Sequence, residues 1–256
     1  MRYWWLLLCI AALTGCNTSG SEKPVEQPGP AIKSETPSTA VPGKEEKFLV
    51  FTCKPADVNM FWKAEDGHIF RNFDSLDQWL SVKRRQQLIF AMNGGMYMED
   101  NSPLGLYIEN GKTLRKLNKM NGGGNFYMKP NGVFYITEKG TAHITAREAF
   151  NATGVNFATQ SGPMVLMDGM VNPLFNKGSE NLNIRNGVGI LPNGDCIFMM
   201  SRSLINFYDF ALFFKEQGCK SALYLDGAIS QTYLPGQSYS AKGGNFGVII
   251  GVTKAL

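Results

Sequence analysis

One stretch near the C-terminus gathers a carboxylate, a cation and unsatisfied backbone amides. Asp195 to Ser201 reads as a strand and Ala222 to Leu225 as another. Between them, Asn206 to Gln217 reads as a helix. Asn206 stands at the cap with Asp209 three residues on, Phe207, Ala211 and Phe214 share a face, and Gly218 closes the end. This β-α-β order predicts parallel strands joined by a right-handed crossover. It would collect Ser201, Arg202, Asn206 and Asp226 at the C-terminal ends of the strands. Ligands bind at that end of parallel sheets, and free amides at a helix start favour anions. Cys196 and Cys219 would lie together at the other end, near enough for a disulfide if the strands are neighbours. Asp226-Gly227 also fits an ordinary turn.

Other chemistries find less support. The two histidines, His68 and His143, are far apart and lack Cys or His neighbours at ligand spacing, so no zinc site is expected. No cofactor is called for. A divalent metal held by Asp226 and backbone oxygens stays open, although no ligand spacing demands it. The glycine-rich run Asn121-Gly122-Gly123-Gly124-Asn125 lacks the Lys-Ser/Thr ending of a phosphate-binding P-loop and fits a lid or a linker. Basic residues are scattered, which gives no nucleic-acid footprint. Of the three cysteines after position 46 (Cys53, Cys196 and Cys219), an odd count leaves one free.

The elements that must position these groups follow from pattern. The 256 residues are 44% hydrophobic and 18% charged, with 28 glycines, which favours a strand-rich, turn-rich domain over a helical bundle. Phe48 to Cys53 reads as a strand with Val58 to Trp62 as its partner, and Leu88 to Met92 as a buried strand. Asp74 is expected to cap a helix running to about Arg84. Gly105 to Gly111 reads as a hairpin, and further strands are expected over 133–137, 141–145, 157–160, 163–167, 187–191 and 246–252. The expectation is an α+β domain: a mixed β-sheet with few helices and one β-α-β unit near the C-terminus.

The N-terminus reads as an address. Arg2 precedes an apolar run from Tyr3 to Leu13, about eleven residues, too short for a membrane span of about twenty but suited to a signal peptide. The run ends in Leu13-Thr14-Gly15-Cys16, which resembles a bacterial lipobox. That likeness implies removal of residues 1–15 and acylation of Cys16, with partition to the membrane driven by about 0.8 kcal/mol per buried methylene. Asn17 in place of Asp favours the outer membrane of a diderm cell envelope. Residues 16–46 are rich in Pro, Ser, Thr, Gly, Glu and Lys and read as a tether with a reach of roughly 30 Å. The net charge is +4. Removing Arg2, and the five Glu and three Lys of the tether, leaves the 47–256 domain at +5, a mild bias toward anionic ligands. Nothing in the sequence indicates a protein partner.

Six segments, in order, resemble the phosphodiester glycosidase family. They are Phe90 to Tyr97, Ser102 to Leu106, Asn125 to Val133, Thr159 to Met164, Arg185 to Gly189 and Ala222 to Gly227. The likeness spans roughly 48–252 and is nearest to an exported bacterial branch. It implies hydrolysis of a sugar-1-phosphodiester in a glycan or glycolipid. The leaving group is then an acidic phosphate monoester, which needs less protonation than an alcohol. The resemblance makes Arg185 the phosphate clamp, Asp226 the nucleophile or base, and Asn93 a ligand for sugar hydroxyls. Gly94 and Gly95 would turn with positive φ beside the ligand. Tyr97, Ser161, Gly162, Asn186, Gly227 and Ser230 complete the expected binding set, and Glu99 and Asp100 are alternative second carboxylates. The family's glycine-rich Leu-Asp-Gly-Gly-Gly-Ser stretch departs here to Leu225-Asp226-Gly227-Ala228-Ile229-Ser230, which bears on substrate more than fold. Two rival readings are a phosphodiesterase cleaving P–O and a glycan-phosphate-binding lipoprotein without turnover.

Overall fold

The computed structural model describes residues 47–256; the expected signal peptide, Cys16 and the tether lie outside the described residues. Strands dominate and only two α-helices form among the described residues, α1 (Phe73–Trp79) and α2 (Phe207–Glu216). The strands make three sheets. The first runs 48–53, 196–201, 186–190, 222–224, 164–167, 170–171; the second 239–240, 232–234, 86–93, 249–255, 58–61; the third 112–115, 107–109, 155–161, 132–137, 142–146.

One central core joins all three. Leu49, Phe198 and Leu223 from the first sheet pack with Phe90 and Ile250 from the second and with Tyr107 and Phe134 from the third. Strand alternation sends the other residues of the first sheet outward, where Ile197, Met199 and Tyr224 bury the aromatic face of α2. Helix α1 covers the outer face of the second sheet through Phe73 and Leu76. The third sheet closes the remaining side, and its hairpin turns at Asn110 and Gly111, both at positive φ as a two-residue turn requires.

The sheet-rich character matches expectation, but the mixed sheet does not form: every strand pairing in the three sheets is antiparallel. The 196–201 and 222–224 strands do run in the same direction, yet 186–190 lies between them, antiparallel to both. The adjacent β-α-β unit is therefore not made, because a strand preceding the unit in sequence fills the gap. The predicted disulfide fails for a related reason. Cys196 faces the central core while Cys219 packs on the α2 side of the same sheet, and all three described cysteines are free. The cross-strand partner of Cys196 is Cys53.

Helix starts follow their chemistry. Asn206 caps α2 as expected, its Oδ1 accepting from Asp209 N at 2.9 Å and its Nδ2 donating to Asp209 Oδ2 at 2.9 Å. Helix α1 is capped by Asn72, not Asp74, with Ser75 N donating to Asn72 Oδ1 at 2.8 Å. A π-turn over Leu80–Arg84 then carries the chain to Arg85, at φ 51.

Candidate active site

Asp226 sits where the first and second sheets meet. Asn93 ends the 86–93 strand and Asn186 begins the 186–190 strand, and the two buried amides lock together. Asn186 Nδ2 donates to Asn93 Oδ1 at 2.9 Å and to the Asn93 carbonyl at 3.0 Å. Asn93 Nδ2 donates to the Asp226 carbonyl at 2.7 Å, and Asn93 Oδ1 also accepts from Gln231 N at 2.8 Å. The Ser230 hydroxyl lies 3.0 Å from the Ile184 carbonyl and 3.1 Å from Asn186 Oδ1. The backbone completes the clamp, with Asp226 N on the Gly94 carbonyl at 3.1 Å and Leu225 N on the Asn186 carbonyl at 3.1 Å. Asn93, Asn186 and Ser230 thus hold the backbone on which Asp226 is carried, with their own polar atoms engaged inside the protein.

The carboxylate is left differently. It has no side-chain partner among the described residues, and burial raises its pKa to about 6, opposed by the Ala228 amide. The Ala228 and Ile229 departures leave that amide in place. Ala228 points its methyl to solvent and Ile229 packs toward the α1 core. Gly227 is obligatory for a different reason: a Cβ there would overlap the Tyr224 hydroxyl.

The sequence places Tyr224 in the Ala222 to Leu225 strand without a role at the site. It ends the 222–224 strand, two residues before Asp226, and packs in the cluster that covers α2. Its phenol stands between two charges: the Arg185 cation favours its ionised form and Asp226 disfavours it, while burial raises its pKa most.

Arg185 differs most from expectation. It is fully buried, not presented to a ligand. Nε donates to the Ile205 carbonyl at 2.8 Å and Nη2 to the Asn181 carbonyl at 2.8 Å. The guanidinium stacks 3.6 Å from the Phe207 ring centre, a cation–π contact. Nη1 is buried without a hydrogen bond. Burial lowers its pKa, and Tyr224 opposes that shift.

Other expected residues disperse. Ser201 accepts from Arg185 N at 2.9 Å and is buried. Asn206 is spent on its cap. Arg202 lines a separate cavity of about 530 Å³ with Phe48, Phe213 and Gln237. Ser161 and Gly162 lie in the third sheet's exit, with Gly162 against the Asn131 amide. Gly94 and Gly95 flank the site, but neither has the positive φ expected. Gly95 is needed for close approach, because a Cβ would collide with the Gln160 carbonyl. Tyr97 is half-buried, its hydroxyl donates to the Asn245 carbonyl, and burial first and Asp226 second raise its pKa. Asp100 is a surface turn residue that accepts from Ser102 N at 2.9 Å.

A family model described as phosphodiester glycosidase matches residues 86–251, a span holding Asn93, Arg185, Asn186 and Asp226. The chain belongs to the phosphodiester glycosidase family. It is 40% identical over 181 residues to the uncharacterized protein YigE of Escherichia coli (strain K12), covering 70% of each chain. In fold it is similar to the catalytic domain of zebrafish N-acetylglucosamine-1-phosphodiester alpha-N-acetylglucosaminidase. That match has a TM-score of 0.57 and 16% identity and covers 80% of this chain and 82% of the other. The Asn93-Gly94-Gly95 and Asp226-Gly227 segments within this span lie at the two strand ends that meet at the site.

The raised pKa has a stability consequence with a definite sign. Below pH 3.8 Asp226 is neutral in both folded and unfolded chains. As pH rises toward 6 the unfolded chain loses its proton first, so folding is weakened, by up to roughly 3 kcal/mol for a fully developed shift of this size. Asp226→Asn is expected to melt above the wild type at pH 8, with the gap closing by pH 3.5. Thermal denaturation followed by circular dichroism at both pH values checks this; a less stable variant at pH 8 contradicts it.

Proposed function

We propose that the protein hydrolyses a sugar-1-phosphodiester at the glycosyl C–O bond, releasing the sugar and a phosphate monoester. The observation that carries this reading is the desolvated, side-chain-unpartnered Asp226 carboxylate on a backbone clamped by Asn93, Asn186 and Ser230. Above pH 6 the carboxylate is mostly ionised. Poor solvation makes it a stronger base and nucleophile than a surface aspartate. It attacks the anomeric carbon, forming a glycosyl ester that a water then hydrolyses with return of the carboxylate, or it takes a proton from a water that attacks that carbon directly. The C1–O bond breaks with its electron pair leaving on the phosphate oxygen. That leaving group is already stable as an anion, so a second carboxylic acid to protonate it is not required. The Gly227–Ile229 turn offers its Ala228 amide to the carboxylate and keeps it aimed.

A P–O-cleaving reaction would most often lean on two metal ions. Among the described residues no group of three or more His, Cys, Asp or Glu comes together to hold one, so no specific observation favours that reading. The test uses the full chain with the methyl phosphodiester of N-acetylglucosamine in ¹⁸O-water, with EDTA and Asp226→Ala as parallel arms. Label on the sugar, unaffected by EDTA and lost in the variant, is the expected result. Label on the phosphate would assign P–O cleavage instead.

The envelope address is part of the same reading: acylation at Cys16 would tether the domain to a membrane carrying glycan or glycolipid phosphodiesters. Cys16→Ala is expected to shift the protein from the membrane pellet to the soluble fraction of a bacterial host. Unchanged pelleting argues against the anchor.

A further inference from the structure

Cys196 has no disulfide to Cys219, but another thiol lies directly across the sheet from it. We propose that Cys53 and Cys196 are the site of a structural cross-strand disulfide, made as the chain folds, with Cys219 left as the free thiol. This assignment does not rest on the glycosidase reading. In the structure all three thiols stand unlinked.

The strand register places the pair. The Phe48–Cys53 and Cys196–Ser201 strands run antiparallel without a register shift, from Phe48 opposite Ser201 to Cys53 opposite Cys196. Directly opposed residues of such a ladder send their side chains to the same face. Burial agrees: Cys196 lies in the central core and Cys53 packs against that core, whereas Cys219 belongs to the cluster around α2. Arg202 N donates to the Lys47 carbonyl at 2.9 Å. The two kinds of pair alternate along an antiparallel ladder, and Cys53 and Cys196 lie an even number of positions from that bond, so theirs is a hydrogen-bonded pair. The Cα atoms of such a pair are about 5.5 Å apart, inside the roughly 4.4–6.8 Å that disulfides span. Each cysteine also stands at a strand end, Cys53 closing one strand and Cys196 opening the other. The side chains can therefore close on each other without displacing a continuing ladder.

The link would fasten an edge. The 48–53 strand is the outermost of the first sheet and pairs only with 196–201. Edge strands are where a sheet is open to mispairing with another chain. Beside the two cysteines the strands are joined by Lys54 and Asp195 at 2.9 Å, an ion pair whose lysine is largely exposed and which stabilises little in water. A bond between residues so far apart in sequence restricts the unfolded chain strongly.

Thiol chemistry sets when the bond forms. Burial first, then Asp57 and Asp195, push the Cys53 thiol up to about 12, and burial raises Cys196 as well. Docked thiols are thus poor nucleophiles, whereas in the undocked chain both ionise near the ordinary value of about 8.5. There, one cysteine thiolate attacks a sulfur of a disulfide oxidant such as oxidised glutathione and expels one thiolate. The second cysteine thiolate attacks the mixed disulfide and expels the other. One S–S bond forms and one breaks; two electrons pass from the cysteine sulfurs to the oxidant, which leaves as two thiols carrying the two protons. The envelope address proposed above would supply an oxidising compartment.

The test uses the full chain with Cys9→Ala and Cys16→Ala, so that only the three domain thiols remain. It is refolded from denaturant with oxidised and reduced glutathione, alkylated after unfolding, and mapped by mass spectrometry of unreduced peptides. A Cys53–Cys196 link with Cys219 alkylated is expected. Alkylation of both Cys53 and Cys196, or a link from Cys196 to Cys219, overturns the proposal. Cys219→Ala should keep the link and Cys53→Ala should lose it. The linked protein is expected to melt roughly 5–15 °C above the same protein refolded with reductant, a gap absent in Cys53→Ala. Equal melting of the two forms overturns the structural role. Oxidised glutathione added to folded, reduced protein should form the link at least tenfold more slowly than during refolding; an equal rate overturns formation before docking. If Cys53→Ala does not fold, the peptide map and the two melting curves of the chain with all three domain thiols decide.

Discussion

A carboxylate kept from water without a counter-charge is the constraint around which this molecule is organised. Asp226 is only partly exposed, and its carboxylate has the Ala228 amide but no cation as a partner. It stays in place because its backbone is tied to two strand ends from different sheets, through the Asn93 and Asn186 amides. Each of those amides is buried, and an unsatisfied buried amide costs about 1–3 kcal/mol. The network therefore fixes the meeting of the two sheets and the position of the carboxylate together. A loosened sheet junction would be felt at Asp226 directly, because Asn93 belongs to both.

Arg185 is a structural charge stacked on Phe207 beside Tyr224, and it holds the Asn181 and Ile205 carbonyls under the Asp226 turn. Arg185 and Asp226 pull the Tyr224 phenol in opposite directions, the cation favouring its ionised form. Removing Arg185 would leave carbonyls without donors and a phenol without its compensating charge.

Much of this was legible in the residues, but unevenly. Local signals worked: Asn206 caps α2, Asn110-Gly111 turns a hairpin, and the apolar 88–92 run is a buried strand. The α1 cap fell two residues early because Asn72 and Asp74 are both good caps and spacing alone does not separate them. Pairing was harder. Nothing in the 195–225 stretch reveals that 186–190 inserts between its strands, since that choice is made by packing across the whole first sheet. The disulfide expectation failed with it, because Cys196 faces the central core and Cys219, just after α2, packs on the other side of the sheet. At the site, residue types pointed to Asn93, Asn186, Gly227, Ser230 and Asp226. Whether a polar side chain faces a ligand or a carbonyl depends on burial, which residue type does not reveal, and so Arg185 and Ser201 turn inward against expectation.

The most direct measurement is the titration of the Asp226 carboxyl carbon by ¹³C NMR in the full chain, assigned with Asp226→Asn. A midpoint near pH 6 is expected if the carboxylate is held out of water by the amide-clamped junction. A midpoint near 3.8, the value of an ordinary aspartate, would mean that Asp226 is solvated or paired, and would contradict the account.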